Sequence, residues 1–379
     1  MKSLRLLLTI PVLFLVQIPL LSQEISFSDS SWVINSRAHV IENFKGHNSL
    51  YLQGGFAYLP EADFENGIIE YDMYMTERVS FAGLIWRITE NMRTYEEFYT
   101  RSHHSTHPDA YQYTPVYNGM AAWQLYHDGF TGNNNGLMGF RPLGEGQGFN
   151  GILDLKMDQW VHYKFLIKDQ RAELYIDYEE EPSVVMNTLM IPKTKGGLGF
   201  FCGAGPTHFA NLKYTKTDDV ELKTEFRPLP ELEEGMVMKW EISGPFEEKE
   251  ISGTELSEEF IKAQKWNSVE SDAMGLLNLS RFTPFDRKNN TVLVRIDIRS
   301  DSDKVVPVKI GFSDRVKAYH KGKAIFSGED NFRSRDYRYL GTIGFFDTVY
   351  FDLEKGKNTV YFAVSENFGG WGIQAVVIE

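Results

Sequence analysis

Apolar and polar residues alternate with a period of two along much of this 379-residue chain, and that pattern limits the fold more than any other feature. Successive side chains of an extended strand point to opposite faces, so such a run buries one face and wets the other. Ile69, Tyr71, Met73 and Met75 alternate with Ile68, Glu70, Asp72 and Tyr74. Val161, Tyr163, Phe165 and Ile167 alternate with His162, Lys164, Leu166 and Lys168, and Asp169-Gln170-Arg171 then turns the chain into Ala172, Leu174 and Ile176. That is a hairpin signature. Further on, Val292, Val294, Ile296 and Ile298 form one such row, and Val306, Val308, Ile310 and Phe312 another. Val349, Phe351 and Leu353 lead through Glu354-Lys355-Gly356-Lys357-Asn358 into Val360, Phe362 and Val364. Helical periodicity is scarce; its best stretch runs from Ser257 to Ala263, with Ser257 in the N-cap place. Short strands separated by turn residues predict an all-β chain of antiparallel β-sandwiches.

The alternation lapses between Thr215 and Gly235, where the sequence is acidic and carries Pro228 and Pro230. It reads as a linker over 216–235, between a sandwich at 24–215 and a second β-domain at 236–379. Residues 1–23 begin with Lys2 and Arg5 and continue through an apolar run from Leu6 to Leu21, which reads as a secretory signal peptide. Pro11 and Pro19 argue against a spanning helix there, and no later apolar run is long enough to cross a bilayer. The expected location is therefore secreted, periplasmic or extracellular. Acidic residues number 52 against 39 basic ones, a net charge of −13. Nucleic acid is a poor partner for such a chain, because phosphate binding needs clustered Lys and Arg. Cys202 is the one cysteine, so no intrachain disulfide can form, and stability must come from the core. Its apolar setting, Gly199-Phe200-Phe201-Cys202-Gly203, reads as that of a buried thiol.

Three segments resemble the concanavalin A-like, laminin-G-like jelly-roll superfamily. They are Phe64 through Asp72, Trp160-Val161-His162-Tyr163-Lys164 through Asp177, and Gly197-Leu198-Gly199-Phe200 through Leu212. The C-terminal domain is more loosely similar to galactose-binding-like jelly rolls, through Val316–Lys323, Leu353–Val360 and Gly369-Gly370-Trp371-Gly372. These resemblances imply two jelly rolls, and because the superfamily holds lectins, adhesion modules and glycosidases alike, they leave function open. A glycosidase branch of the superfamily carries E-x-D-x-x-E on one strand. Here Glu70-Tyr71-Asp72 begins that pattern and Met75 takes the final acidic place. The strand thus lacks the carboxyl pair, about 5 Å apart, that retaining hydrolysis needs.

Residues 81–130 are dense in aromatic, amide and charged groups. Aromatic faces beside amides, carboxylates and guanidinium groups suit a sugar ring, which offers a C–H patch to stack on and hydroxyls to bond. The expected ligand set on an open concave face is Arg87, Glu97, Tyr99, Arg101, His103, Asp109, Gln112, Tyr113, Asn118, Trp123 and Gln124. Carbohydrate or polysaccharide is the expected partner. If the chain is instead an enzyme, distantly similar in fold to 3-keto-disaccharide hydrolases, Glu97, His103 and Asp109 are the acid/base candidates. A third expectation is a structural or adhesive module with the aromatic run as core, a reading that gains if Tyr113, Trp123 and Tyr126 have no exposed face. Tyr111, Tyr113 and Tyr117 share one side of an extended strand, with Gln112 on the other. His103, His104, His107 and Asp109 have the residue types of a metal site and a spacing that permits one, but Ser, Thr and Pro mark a loop, and there is no H-x-x-x-H on a helix and no H-E-x-x-H. No metal and no cofactor is expected. The Gly- and Asn-rich stretch from Gly129 to Gly151 reads as a long loop over the cleft. In the second domain, Arg333 and Arg335 beside Asp336 and Tyr337 suit either a diol or an Arg–Asp brace.

Overall fold

The computed structural model describes residues 23–128, 146–335 and 339–378. The signal-like segment, the loop through residue 145, and Asp336 and Tyr337 lie outside the described residues. The chain is built almost wholly from antiparallel strands, as the alternation predicts. One short α-helix, Glu258–Ala263, is present among the described residues, and the Ser257 hydroxyl accepts from the Phe260 N–H at 3.1 Å. No helix there is long and apolar enough to cross a membrane.

The N-terminal sheet curls into a sandwich because two long strands serve both layers. Gly196–Lys216 pairs with Phe81–Ile88 through its first half (Gly199 opposite Ile85) and with Gly67–Met75 through its second (Phe209 opposite Met73). His47–Phe64 follows it along nearly its whole length. The register shift between Cys202 and Pro206 marks the passage from one layer to the other. One layer continues through Tyr95–Arg101 and Tyr111–Tyr117, the other through Trp160–Lys168 and Arg171–Ile176. The expected hairpin turns at Asp169, whose φ of 51° is the left-handed conformation that Asp tolerates. Between the layers lie Tyr71, Tyr163, Phe165, Phe200 and Phe209, all at most 1 % exposed. Cys202 is fully buried there, its thiol donating to the Gly205 and Leu52 carbonyls.

The second sandwich packs a six-stranded sheet, centred on Thr291–Ser300 and Gly356–Ser365, against a four-stranded one centred on Lys304–Ser313 and Gly372–Val377. Trp240, Phe312, Phe362 and Trp371 fill the space between them. Residues 217–235 form no strand but are tied to the first sandwich. The Lys223 and Thr224 N–H groups donate to Glu173, Arg171 donates to the Thr224 carbonyl, and Gln147 to that of Pro228. The two halves interlock. Met274, Leu276 and Ile343 belong to the N-terminal core, and Met120 to the C-terminal one.

Candidate functional site

The strands Tyr95–Arg101 and Tyr111–Tyr117 decide where the aromatic run goes. Glu96, Phe98 and Thr100 face the core between the layers, opposite Pro115, Tyr113 and Tyr111. Trp86, Phe98, Tyr111, Tyr113 and Tyr126 are buried in that core. The open aromatic platform expected from the sequence is therefore absent, and the stacking role assigned to Tyr113 is corrected. Its ring is fully buried, and its hydroxyl donates to Glu96 Oε2 at 2.6 Å and accepts from the Met190 N–H at 2.6 Å. The tyrosines do share one face, as predicted; it is the inward one, because their rings supply apolar area that the core needs.

Three other expected ligands also lie elsewhere. Arg87 is the extra residue of a bulge, between pairs that set Trp86 against Leu198 and Ile88 against Gly197. Its guanidinium is fully buried, donates to Glu65 O and Asn66 Oδ1, and lies 3.9 Å from Glu96. Asn118 takes a φ of 52° at a turn and donates to the Ser280 carbonyl, across the boundary between the sandwiches. Gln124 is fully buried at that same boundary, where its amide donates to Leu340 O at 2.7 Å and its backbone N–H to Gly369 O at 2.9 Å. Gly369, with φ +105°, leaves room for it; a Cβ there would sit 1.9 Å from Gln124 Oε1.

The remaining candidates converge. Glu97, Tyr99, Arg101 and Gln112 lie on the face of these two strands turned away from the core, with Tyr99 opposite Gln112. Arg101 is the hub. It donates to Asp109 Oδ1 at 2.7 Å, to the Tyr99 hydroxyl at 3.2 Å and to Gln112 Oε1 at 3.2 Å. Gln112 in turn donates to the Tyr126 carbonyl at 2.9 Å. Every member of this network is at most 6 % exposed. His103 adjoins it, edge-on to Phe81 at 5.4 Å, and Trp123, half-buried, meets Phe368 edge-on at 5.8 Å.

Glu97 differs from its neighbours. Its side chain is 3 % exposed and makes no hydrogen bond or ion pair among the described residues. Burial alone pushes its pKa up to about 8, so at neutral pH it is a protonated acid and a hydrogen-bond donor. Arg101 and Asp109, by contrast, spend their charges on each other. His103 is driven down to about 4 by burial and by the neighbouring His104 and Arg101, so it stands neutral and weakly basic. The rings of His103, His104 and His107 lie 4.2 and 4.7 Å apart in sequence. No group of three or more His, Cys, Asp or Glu among the described residues is placed to hold a metal.

The opposite layer carries a second constellation that the sequence reading missed. His162 Nδ1 lies 2.7 Å from Asp72 Oδ1, its Nε2 lies 3.8 Å from Glu70, and Tyr178, 78 % exposed, stacks on its ring at 4.2 Å. Burial opposes the imidazolium, but the hydrogen bond to Asp72 and the nearby Asp72 and Glu70 carboxylates overcome it and push the His162 pKa up to about 9. The signal was present in the alternation. His162 and Asp72 both occupy polar positions of strands that prove to be neighbours, directly opposite one another.

No family model matches this sequence, and no curated protein matches it. Among solved structures, a carbohydrate-binding module from Bacillus subtilis is 13 % identical, covering 48 % of this chain and 94 % of that one, with a TM-score of 0.33. A protein with a galectin-like fold from Bacillus subtilis is 11 % identical over 52 % of this chain and 98 % of its own, at a TM-score of 0.34. A beta-glucanase from Bacillus licheniformis is 14 % identical over the same shares, at 0.32. All three are similarities of low identity and low TM-score that cover about half of this chain.

Proposed function

We propose that this chain is a secreted glycan-recognition protein, with the saccharide held on the outward face of the Tyr95–Arg101 and Tyr111–Tyr117 strands. The observation that carries this reading is Glu97: a carboxyl only 3 % exposed that makes no hydrogen bond or ion pair among the described residues, beside a bonded row of Tyr99, Arg101, Asp109 and Gln112. Its hydrogen-bonding capacity is left for a ligand hydroxyl. A polyhydroxylated ring offers acceptors to the Glu97 acid and donors to the Tyr99 and Gln112 oxygens at once. Trp123, half-buried against Phe368, is the aromatic group assigned to stacking in place of Tyr113. Calorimetric titration with a panel of glycans tests it. Heat is expected with at least one member and is weakened in Glu97→Gln and Trp123→Ala; no heat with any sugar removes the reading.

One observation favours an enzyme as the second reading. A carboxyl that stays protonated to about pH 8 has the state required of a general acid. Release of product from a polysaccharide panel, abolished in Glu97→Gln, would establish hydrolysis. Inactivity of the unaltered protein across the panel leaves recognition alone.

A further inference from the structure

The buried and half-buried arginines of the described structure fall into two groups. Arg87, Arg101, Arg295 and Arg315 each face a carboxylate. Arg171 and Arg281, both half-buried, make no ion pair among the described residues. Arg171 spends one terminal nitrogen on the Thr224 carbonyl, the Thr224 hydroxyl and the Glu225 carbonyl, while its Nε is buried and unbonded. The Arg281 guanidinium makes no hydrogen bond and no ion pair among the described residues, and its Nη1 is buried. In a protein of net charge −13, a guanidinium with a buried nitrogen and no hydrogen bond to it is costly to keep.

Both arginines line one cleft of about 700 Å³, where the beginning of the Arg171–Ile176 strand of the first sandwich meets the start of the second. That volume lies within the range of small-molecule sites. Lys168 adds a third cation, bonded only to the Val220 carbonyl. Phe226, 59 % exposed beneath the Arg171 guanidinium, forms an apolar wall with Leu189. Two carboxylates border the cleft, and both are engaged. Asp169 pairs with Lys193, and Asp272 accepts from the Tyr126 hydroxyl and the Met274 and Leu276 N–H groups. The unspent donors are thus cationic and planar, and an aromatic ring stands beside them.

We propose that this cleft is a second ligand site, separate from the Glu97 face, and that it takes a small ring-bearing carboxylate. The carboxylate accepts from Arg281 and Arg171, whose fork geometry fits its two oxygens, and the ring lies against Phe226. The ring can belong to a sugar acid or to an aromatic acid, and the two are told apart by probe. Titrating the full chain with glucuronate, benzoate and glucose tests the site, read by calorimetry or by ligand-observed NMR. Saturable binding of glucuronate or benzoate but not of glucose is expected, and whichever acid binds identifies the ring. Arg281→Ala is expected to weaken that binding about tenfold or more with the melting temperature little changed, because its guanidinium makes no hydrogen bond or ion pair among the described residues and only lies over the neighbouring Phe282 ring and near the Asp272 charge. Glu97→Gln is expected to leave it unaltered, which separates this site from the glycan face. Absence of saturable binding by either acid, equal binding of glucose, or undiminished binding in Arg281→Ala overturns the proposal.

Discussion

A carboxyl that keeps its proton at neutral pH donates where a carboxylate would accept, and Glu97 is placed to do so. Burial is the cause of its raised pKa, so the shift must vanish when the side chain cannot ionise. We predict that the carbon-13 resonance of the Glu97 carboxyl titrates with a midpoint near 8, well above an ordinary glutamate; a midpoint near 4.5 would mean that the group is solvated or paired. Glu97→Gln keeps the shape and a donor, and it is expected to raise stability at pH 8.5 while changing little at pH 5. That Glu97, Tyr99 and Arg101 share a face was legible in the sequence, because they stand at alternate positions of one strand, whereas Asp109 joins them from a loop and Gln112 through a strand pairing that spacing does not give. Which face the neighbouring tyrosines would take was not legible. Period-2 spacing groups Tyr111 with Tyr113 and sets Gln112 against them, but it carries no information on which side another layer covers. Arg87 escaped for a different reason: the bulge at that position breaks the alternation on which its placement relied.

Hairpins are local, and the sequence displays them; layers are not. The Trp160–Lys168 and Arg171–Ile176 pair follows from two alternating runs and a three-residue turn. The sandwich itself depends on Gly196–Lys216, which pairs with His47–Phe64, Gly67–Met75 and Phe81–Ile88, partners more than a hundred residues away in the chain. Nothing in the run of residues 196–216 states that its first half will serve one layer and its second half the other. Phe200 sits on this strand, packed against Phe209 at 4.3 Å and Tyr71 at 5.0 Å, and Trp32 stacks on it at 6.2 Å. Phe200→Ala would open a cavity at that junction with few mobile groups to fill it. We expect a loss of about 3–5 kcal/mol in denaturant unfolding. A loss below about 1 kcal/mol would mean that the two layers do not close around this ring.

At the scale of the whole molecule, the halves exchange core residues and should respond to pH as one body. Burial dominates the charge balance of that body. It pushes Glu97 up to about 8, Glu96 and Asp128 to about 7, and Asp314 and Asp330 to about 6. Each of these carboxyls binds its proton more tightly folded than unfolded. Stability therefore falls as pH rises from the unfolded carboxyl pKa through each folded value. His162, raised to about 9, acts in the same direction above pH 6.5, because its favourable charge is lost as pH rises. His103 and His127, lowered to about 4, act the opposite way, but only between about pH 4 and 6.5, where the unfolded imidazoles take up protons first. Between pH 6.5 and 8.5 the buried acids and His162 therefore act without opposition from those histidines. Each group still holding its proton there contributes a slope of at most about 1.4 kcal/mol per pH unit. The melting temperature is predicted to drop steadily over that interval and to drop less steeply in Glu97→Gln. A flat or rising profile from pH 6.5 to 8.5 would show that these carboxyls are open to water in solution, and with them the face on which Glu97 stands.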